Sequence, residues 1–378
     1  MRATGRLDED AVRIRPGRGS RPRTKRRPAH SDAVRALVTA VDRGRYALLV
    51  HPDTPQERTA TAVKARELGR ERVVCGDVVE VVGDTSGDAG TLARIVRITE
   101  RRTVLRRTAD DTDPVERVIV ANADQLVVVT ALADPEPRTR MIDRCVVAAY
   151  DAGMDVLLCL TKADLGDPGP LSGLYTPLGV EVTVTALVRG RVRDRARSDG
   201  GDPADVDEVD ERDEPSEPAD RVVRGLDQLR HHLSGRVSVL VGHSGVGKST
   251  LVNALVPAAE RATGRVNEVT GRGRHTSSSA VALRLPEQDG WVIDTPGVRS
   301  FGLAHVTAER VLAAFADLAE VAEERCPRGC SHLAEAPDCA LDAWVAETGP
   351  GGDVGARRRR LDSLRRLLTA RTADVRGD

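Results

Sequence analysis

The chain has 378 residues, 40% hydrophobic and 30% charged, which fits a soluble globular protein of two or three domains. Only 2% are aromatic, so its cores must be built from Val, Leu, Ala and Ile. With no apolar run of about 18 residues and no apolar leader, a cytoplasmic protein without membrane contact is expected.

The formal net charge of −1 hides a segregation of signs. Residues 11–30 carry Arg and Lys and no acid, whereas eleven of the 22 residues from Asp199 to Asp220 are acidic. Such single-sign blocks belong to tails, inserts and surfaces for charged partners. Residues 1–33 lack hydrophobic periodicity and read as a disordered Arg-rich tail. Over 34–107, short β-rich runs alternate with turns: Arg35–Ala40, Tyr46–Val50, Asp77–Val82 and Thr91–Ile98. Their spacing predicts a small all-β barrel. Basic residues gather at its end, from Arg94 to Arg107.

The pattern then changes. Gln125–Thr130 and Asp155–Leu160 are continuous apolar runs, as in parallel strands buried on both faces, and Arg138–Asp151 between them has helical spacing. Val180–Thr185 adds a strand, and an acidic insert follows over 189–220. Gly225–Leu233 reads as a helix, Val237–Val241 as a strand, Lys248–Leu255 as a helix and Trp291–Asp294 as a strand. An α/β domain is therefore expected over 108–305, with a mostly helical one over 306–378.

Gly242, His243, Ser244, Gly245, Val246, Gly247, Lys248 and Ser249, followed by Thr250, match the phosphate-loop pattern G-x-x-x-x-G-K-[ST] between a strand and a helix. The glycines let backbone N–H groups converge on phosphates. Lys248 is expected on the terminal phosphates and the Ser249 hydroxyl on Mg²⁺. Asp294-Thr-Pro-Gly ends a strand about 50 residues on, with Asp294 placed to hold Mg²⁺ and Gly297 to sense the terminal phosphate. In the polar loop between them, Thr276 is the candidate to complete the Mg²⁺ shell.

Thr161, Lys162, Ala163 and Asp164 resemble the Asn-Lys-x-Asp base-reading motif. Asp164 would accept two hydrogen bonds from the guanine N1–H and amine, a pair that adenine lacks, and the Lys162 stem would lie along the base. Thr161 stands where Asn is usual and offers only a hydroxyl. Thr185-Ala186, at the next strand end, is a candidate support for the base. The base reader precedes the phosphate loop, the reverse of the common order. Such a permutation is possible where domain termini lie close together at the surface.

Cys326, Cys330, His332 and Cys339 lie within 14 residues and predict a closed, structural Zn²⁺ site. The adjacent Arg357–Arg366 stretch reads either as a phosphate-binding helix or as a solvated charged face.

The permuted motif order, the β-rich module before it and the Cys/His module after it resemble the RsgA (YjeQ) family of circularly permuted GTPases, over roughly residues 34–370. The resemblance implies an OB-fold RNA-binding barrel, a permuted GTPase domain and a zinc-binding helical domain. It also implies GTP hydrolysis to GDP during late maturation of the small ribosomal subunit, with rRNA binding and stimulation by the subunit. A monomer is expected. The position after Asp294-Thr-Pro-Gly is Val298, whose side chain cannot orient water as a Gln would. Slow intrinsic hydrolysis follows, with His275 in the switch loop as the candidate catalytic group beside Lys248. Two other readings stay open: a GTPase remodelling another structured RNA, and a nucleotide-dependent RNA scaffold with negligible turnover.

Overall fold

A computed structural model describes residues 30–110, 113–189, 221–257, 280–286, 290–295, 301, 303, 306–347 and 354–376. The Arg-rich tail to residue 29, most of the acidic insert, the loop holding His275 and Thr276, and Pro296 to Val298 lie outside the described residues.

Five strands close a barrel: β1 (Val34–Asp42), β2 (Arg45–Val50), β3 (Arg58–Lys64), β4 (Val78–Gly83) and β5 (Ala93–Ile98). β1 pairs with both β2 and β4, β2 pairs with β3, β4 with β5, and β3 with β5 in parallel. This is an OB-like circuit without free edges. Alternate residues point inward, among them Val38, Leu48, Ala62, Val79 and Ile95. The sequence reading missed β3. Its inward residues are only Ala60 and Ala62, and Thr, Arg and Lys make up most of the rest, so local hydrophobicity is low.

A two-stranded ribbon follows, β6 (Val104–Asp110) with β7 (Asp113–Ala121). Leu105 and Val120 from it are buried in the core beyond the barrel. The nucleotide sheet is then assembled from β8 (Gln125–Ala131), β9 (Asp155–Thr161), β10 (Glu181–Val184), β13 (Val237–Gly242), β14 (Val281–Arg284) and β15 (Trp291–Asp294). Their order across the sheet is β10-β9-β8-β13-β15-β14, parallel except for β14. All seven residues of β8 are buried. Each fully buried Val or Leu there is worth roughly 1.5–3 kcal/mol. The permutation is visible in this order: β13 comes after β8, β9 and β10 in the chain, yet inserts between β8 and β15.

Helices α1 (Thr139–Asp151), α2 (Gly169–Tyr175), α3 (Leu226–Leu233) and α4 (Lys248–Leu255) connect the strands. β11 (Ala186–Arg189) pairs antiparallel with β12 (Arg221–Arg224), so the chain leaves for the acidic insert and returns from it side by side.

The barrel and the nucleotide sheet form one continuous eleven-stranded sheet, because β14 pairs with β1 at Val281 and Ala40. Arg284 of β14 reinforces the seam: its guanidinium bonds Glu57 at 3.0 and 2.9 Å and Asp53 at 2.8 Å, and lies 4.9 Å over the Trp291 ring.

The C-terminal region is helical: α5 (Ala308–Ala313), α6 (Ala316–Arg325), α7 (Ala340–Ala346) and α8 (Val354–Arg376). Leu361, Leu364 and Leu368 make one stripe of α8 and pack with Phe301, Phe315 and Leu318 in the core that also holds Ile142 and Val146 of α1. The arginines of α8 correct one reading of its charge. Arg357 donates to the Trp344 and Glu347 carbonyls, and Arg360 donates through Nε to both Asp317 carboxylate oxygens and through a terminal nitrogen to the Pro177 carbonyl. Arg365 forks onto Asp342, and Arg366 pairs with buried Asp143. These four side chains are internal cross-links, so they are neither free phosphate ligands nor a merely solvated face.

Candidate active site and metal centre

The phosphate loop runs from the end of β13 into α4 and lines a cleft of about 470 Å³ with Lys162. Its backbone conformation needs glycine at two places, Gly245 (φ +84°) and Gly247 (φ +87°). Between them Val246 turns its side chain into the core at 2% exposure. This buried anchor holds the flanking N–H groups around the cleft. α4 starts at Lys248, so its positive N-terminal end faces the same space.

Lys248 Nζ forms an ion pair with the Asp294 carboxylate, joining the loop to the end of β15. The side chains expected on the phosphates and on Mg²⁺ are therefore neighbours. Ser249 lies in the first turn of α4 and is exposed. Asp294 and Ser249 are oxygen donors suited to Mg²⁺. Thr295 is buried and donates to the Leu240 carbonyl at 2.8 Å, which locks the turn after Asp294 to β13.

The base reader stands at the end of β9, next to the phosphate loop in space though 81 residues before it in sequence. Thr161 is buried at 5% exposure and donates to the Val246 carbonyl at 2.6 Å. Lys162 has a left-handed backbone (φ +55°), and its Nζ bonds the Asp134 carbonyl in the loop after β8. Ala163 N–H donates to the Thr185 carbonyl at 3.2 Å, so Thr185 braces the base-reading turn. Asp164 is exposed at the tip of that turn. The contacts through Val246 and Asp134 were invisible in the sequence, because each acceptor is a main-chain carbonyl that any residue type would supply.

The second cluster also assembles. Ligand atoms of Cys326, Cys330, His332 and Cys339 all lie within 4.8 Å of one another. His332 Nδ1 is 3.7 Å from Cys326 Sγ and 3.9 Å from Cys339 Sγ. Tetrahedral zinc with Zn–S near 2.3 Å requires ligand separations of about 3.8 Å, so the set fits. Within the mostly helical C-terminal region, the cluster occupies the loop between two helices. Cys326 ends α6 and Cys339 precedes α7. Gly329 (φ +78°) makes the turn that brings Cys330 back. Burial pushes the Cys339 thiol up to about 11, with nearby Cys330 and Cys326 adding to the rise. A bound cation reverses that balance and favours thiolates. Arg365 of α8 donates to the His332 carbonyl at 3.2 Å and forks onto Asp342, tying the cluster's loop to α8 and to α7.

Fold and site together define a P-loop nucleotide-binding protein of the GTPase type, with its base reader ahead of its phosphate loop. The family model for the RsgA GTPase matches residues 98–196 and 218–304. A small ribosomal subunit biogenesis GTPase RsgA from Chlorobaculum tepidum is 33% identical over 318 residues, covering 82% of this chain and 89% of the relative. The protein of that name from Ectopseudomonas mendocina is 35% identical over 308 residues, covering 80% and 76%. The chain belongs to the RsgA GTPase family and is a GTP-hydrolysing enzyme. Among solved structures it is similar to YjeQ from Thermotoga maritima, with TM-score 0.56 at 20% identity over 89% of this chain and 99% of that one. It is also similar to YloQ, described as a circularly permuted GTPase, with TM-score 0.57 at 20% identity over 91% and 96%. Both likenesses speak to the fold. No helix among the described residues is long and apolar enough to cross a membrane.

Proposed function

We propose that this GTPase acts in the cytoplasm, as a monomer, in late maturation of the small ribosomal subunit, binding rRNA and hydrolysing GTP with stimulation by the subunit. The observation that carries the nucleotide chemistry is the single cleft that Lys162 shares with Gly242, His243, Ser244, Gly245, Gly247, Lys248, Ser249 and Thr250. The names of its relatives supply the ribosomal setting.

In this reading the loop N–H groups and Lys248 hold the β- and γ-phosphates, and Asp164 reads the guanine edge. Ser249, Thr276 and Asp294 would hold Mg²⁺, which supplies positive charge to the phosphate oxygens. Lys248 must then exchange its Asp294 partner for phosphate. Val298 leaves the attacking water without a side-chain orienter, so His275 takes that role when the subunit is bound. Cys326, Cys330, His332 and Cys339 would hold one structural Zn²⁺, closed to substrate because all four positions are filled by protein.

For rRNA, the barrel offers exposed arginines on its outer face. Arg45 of β2 and Arg94 of β5 both pair with Val63 of β3 and so lie on one face. Their charges suit phosphate backbones. The boundaries that follow are 34–107 for the barrel, 108–305 for the GTPase domain and 306–378 for the zinc-binding region.

The test is GTP turnover with and without purified small subunits, alongside co-sedimentation in GDP and in a non-hydrolysable GTP analogue. Large stimulation and nucleotide-dependent sedimentation are expected. No stimulation together with RNA-dependent binding would leave the scaffold reading, which Val298 keeps open, and equal sedimentation in both nucleotides would sink the switch reading. An unchanged stimulated rate in His275→Ala would remove His275 from the mechanism.

A further inference from the structure

The base-reading motif carries Thr161 where Asn is usual, and the structure shows where its hydroxyl goes. Thr161 is buried at 5% exposure, with Oγ1 2.6 Å from the Val246 carbonyl oxygen and 3.3 Å from that of Thr130. Both neighbours are acceptors. A neutral hydroxyl has one hydrogen to give, so that hydrogen points at a backbone carbonyl in either arrangement. The shorter contact is to the centre of the phosphate loop, between the two glycines that set its shape.

We propose that Thr161 is a positioning residue that ties the phosphate loop to the base-reading strand and makes no hydrogen bond to the base, leaving the purine N7 unread. The proposal rests on the guanine-nucleotide reading of this cleft. N7 of guanine is an acceptor and needs a donor. An Asn side chain presents two N–H hydrogens, one for a loop carbonyl and one for a ring nitrogen. Thr161 has only the one, and it is already engaged. Turning it toward a base would leave the Val246 carbonyl without this partner in a buried setting, which is unfavourable. Selectivity for guanine then falls on Asp164, which meets the N1–H and amine edge and not the N7 edge. Thr161 instead lets the two distant motifs hold each other in register.

The experiment compares binding of GDP, 7-deaza-GDP and ADP to the full-length chain. In the analogue a carbon replaces N7 while the edge facing Asp164 is kept. Wild type is expected to bind GDP and 7-deaza-GDP within about twofold of each other and ADP far more weakly. Thr161→Asn is expected to acquire a preference for GDP over 7-deaza-GDP of about fivefold or more, by supplying the missing donor. Thr161→Val should weaken both guanine nucleotides equally, about three- to tenfold, and Thr161→Ser should restore them. A preference of wild type for GDP over 7-deaza-GDP of about tenfold overturns the proposal, as does a folded Thr161→Val that binds both as wild type does. ADP binding as tightly as GDP would instead overturn the guanine reading beneath it.

Discussion

The phosphate loop and the Cys/His cluster are both short motifs, but they are built in opposite ways. The loop is a backbone site. Its donors are N–H groups, its shape comes from Gly245 and Gly247 at positive φ, and its register is held by its own buried Val246 and, from outside, by Thr161. The cluster is a side-chain site. Its four ligand atoms already lie within 4.8 Å of one another, and its supports are the ends of α6 and α7 and Arg365 of α8. A backbone site tolerates varied side chains but not a changed conformation. A side-chain site tolerates varied conformations outside the knot but not a changed ligand.

The sharpest way to break this contrast is to remove a metal ligand. Cys339→Ser should lose stoichiometric zinc, since small zinc sites draw apparent binding energies of about 10 kcal/mol or more from a full ligand set. Metal analysis with hydrogen exchange should show the loss, with protection failing in α6 and α7 and GDP affinity kept within about twofold. The next largest effect is expected from Lys248→Ala. Losing a charge-assisted contact to phosphate is worth about 2–3 kcal/mol, or roughly 30- to 150-fold in GTP affinity by titration. Melting temperature without nucleotide should change little, because the Lys248–Asp294 pair is partly open to solvent.

Gly247→Ala probes backbone conformation alone. At φ +87° an added Cβ costs about 1–2 kcal/mol, and nothing crowds it more closely than Thr161 Oγ1 at 3.8 Å. Nucleotide affinity should fall about tenfold, while zinc content stays at one per chain.

The smallest effect concerns the contact between the nucleotide domain and α8. Burial pushes the Asp143 carboxyl above its usual range, against the opposing influence of Arg366 and the Tyr175 hydroxyl. A raised pKa means the folded state holds this proton more tightly than the unfolded chain does. Its contribution to stability is complete below the unfolded pKa near 4 and is lost as pH rises through the folded value. Asp143→Asn should therefore gain on wild type as pH rises from about 4 to about 7, read from melting curves. A constant difference across that range would exclude this titration.

Much of the site was legible because its chemistry is local. A phosphate loop needs particular residues at fixed spacing, and so does a Cys/His knot. Gly242 to Ser249 and Cys326 to Cys339 could be read without a fold. The strands β8, β9 and β13 were legible for a related reason: burial on both faces of a parallel sheet forces unbroken apolar runs. What stayed hidden lacked local contrast. β3 buries only alanines on its inward face, and β14 is four residues long and pairs on one side with the next strand, β15, and on the other with the barrel strand β1, far off in the sequence. The arginines of α8 could be read as a surface for phosphates or as a solvated face, since composition cannot tell a free guanidinium from one bonded to Asp317 or Asp342.

Residue types along the chain settled the kind of chemistry and its order: a base reader, then a phosphate loop, then a carboxylate at a strand end, then four metal ligands. Each of these depends on residue type at short range. How they meet was settled by the folded chain alone. Folding placed Thr161 on the Val246 carbonyl, Lys162 on the Asp134 carbonyl and Arg284 across the seam between barrel and nucleotide sheet. Those contacts use main-chain acceptors or partners far off in the chain, so no local pattern encodes them; the register of a common sheet does.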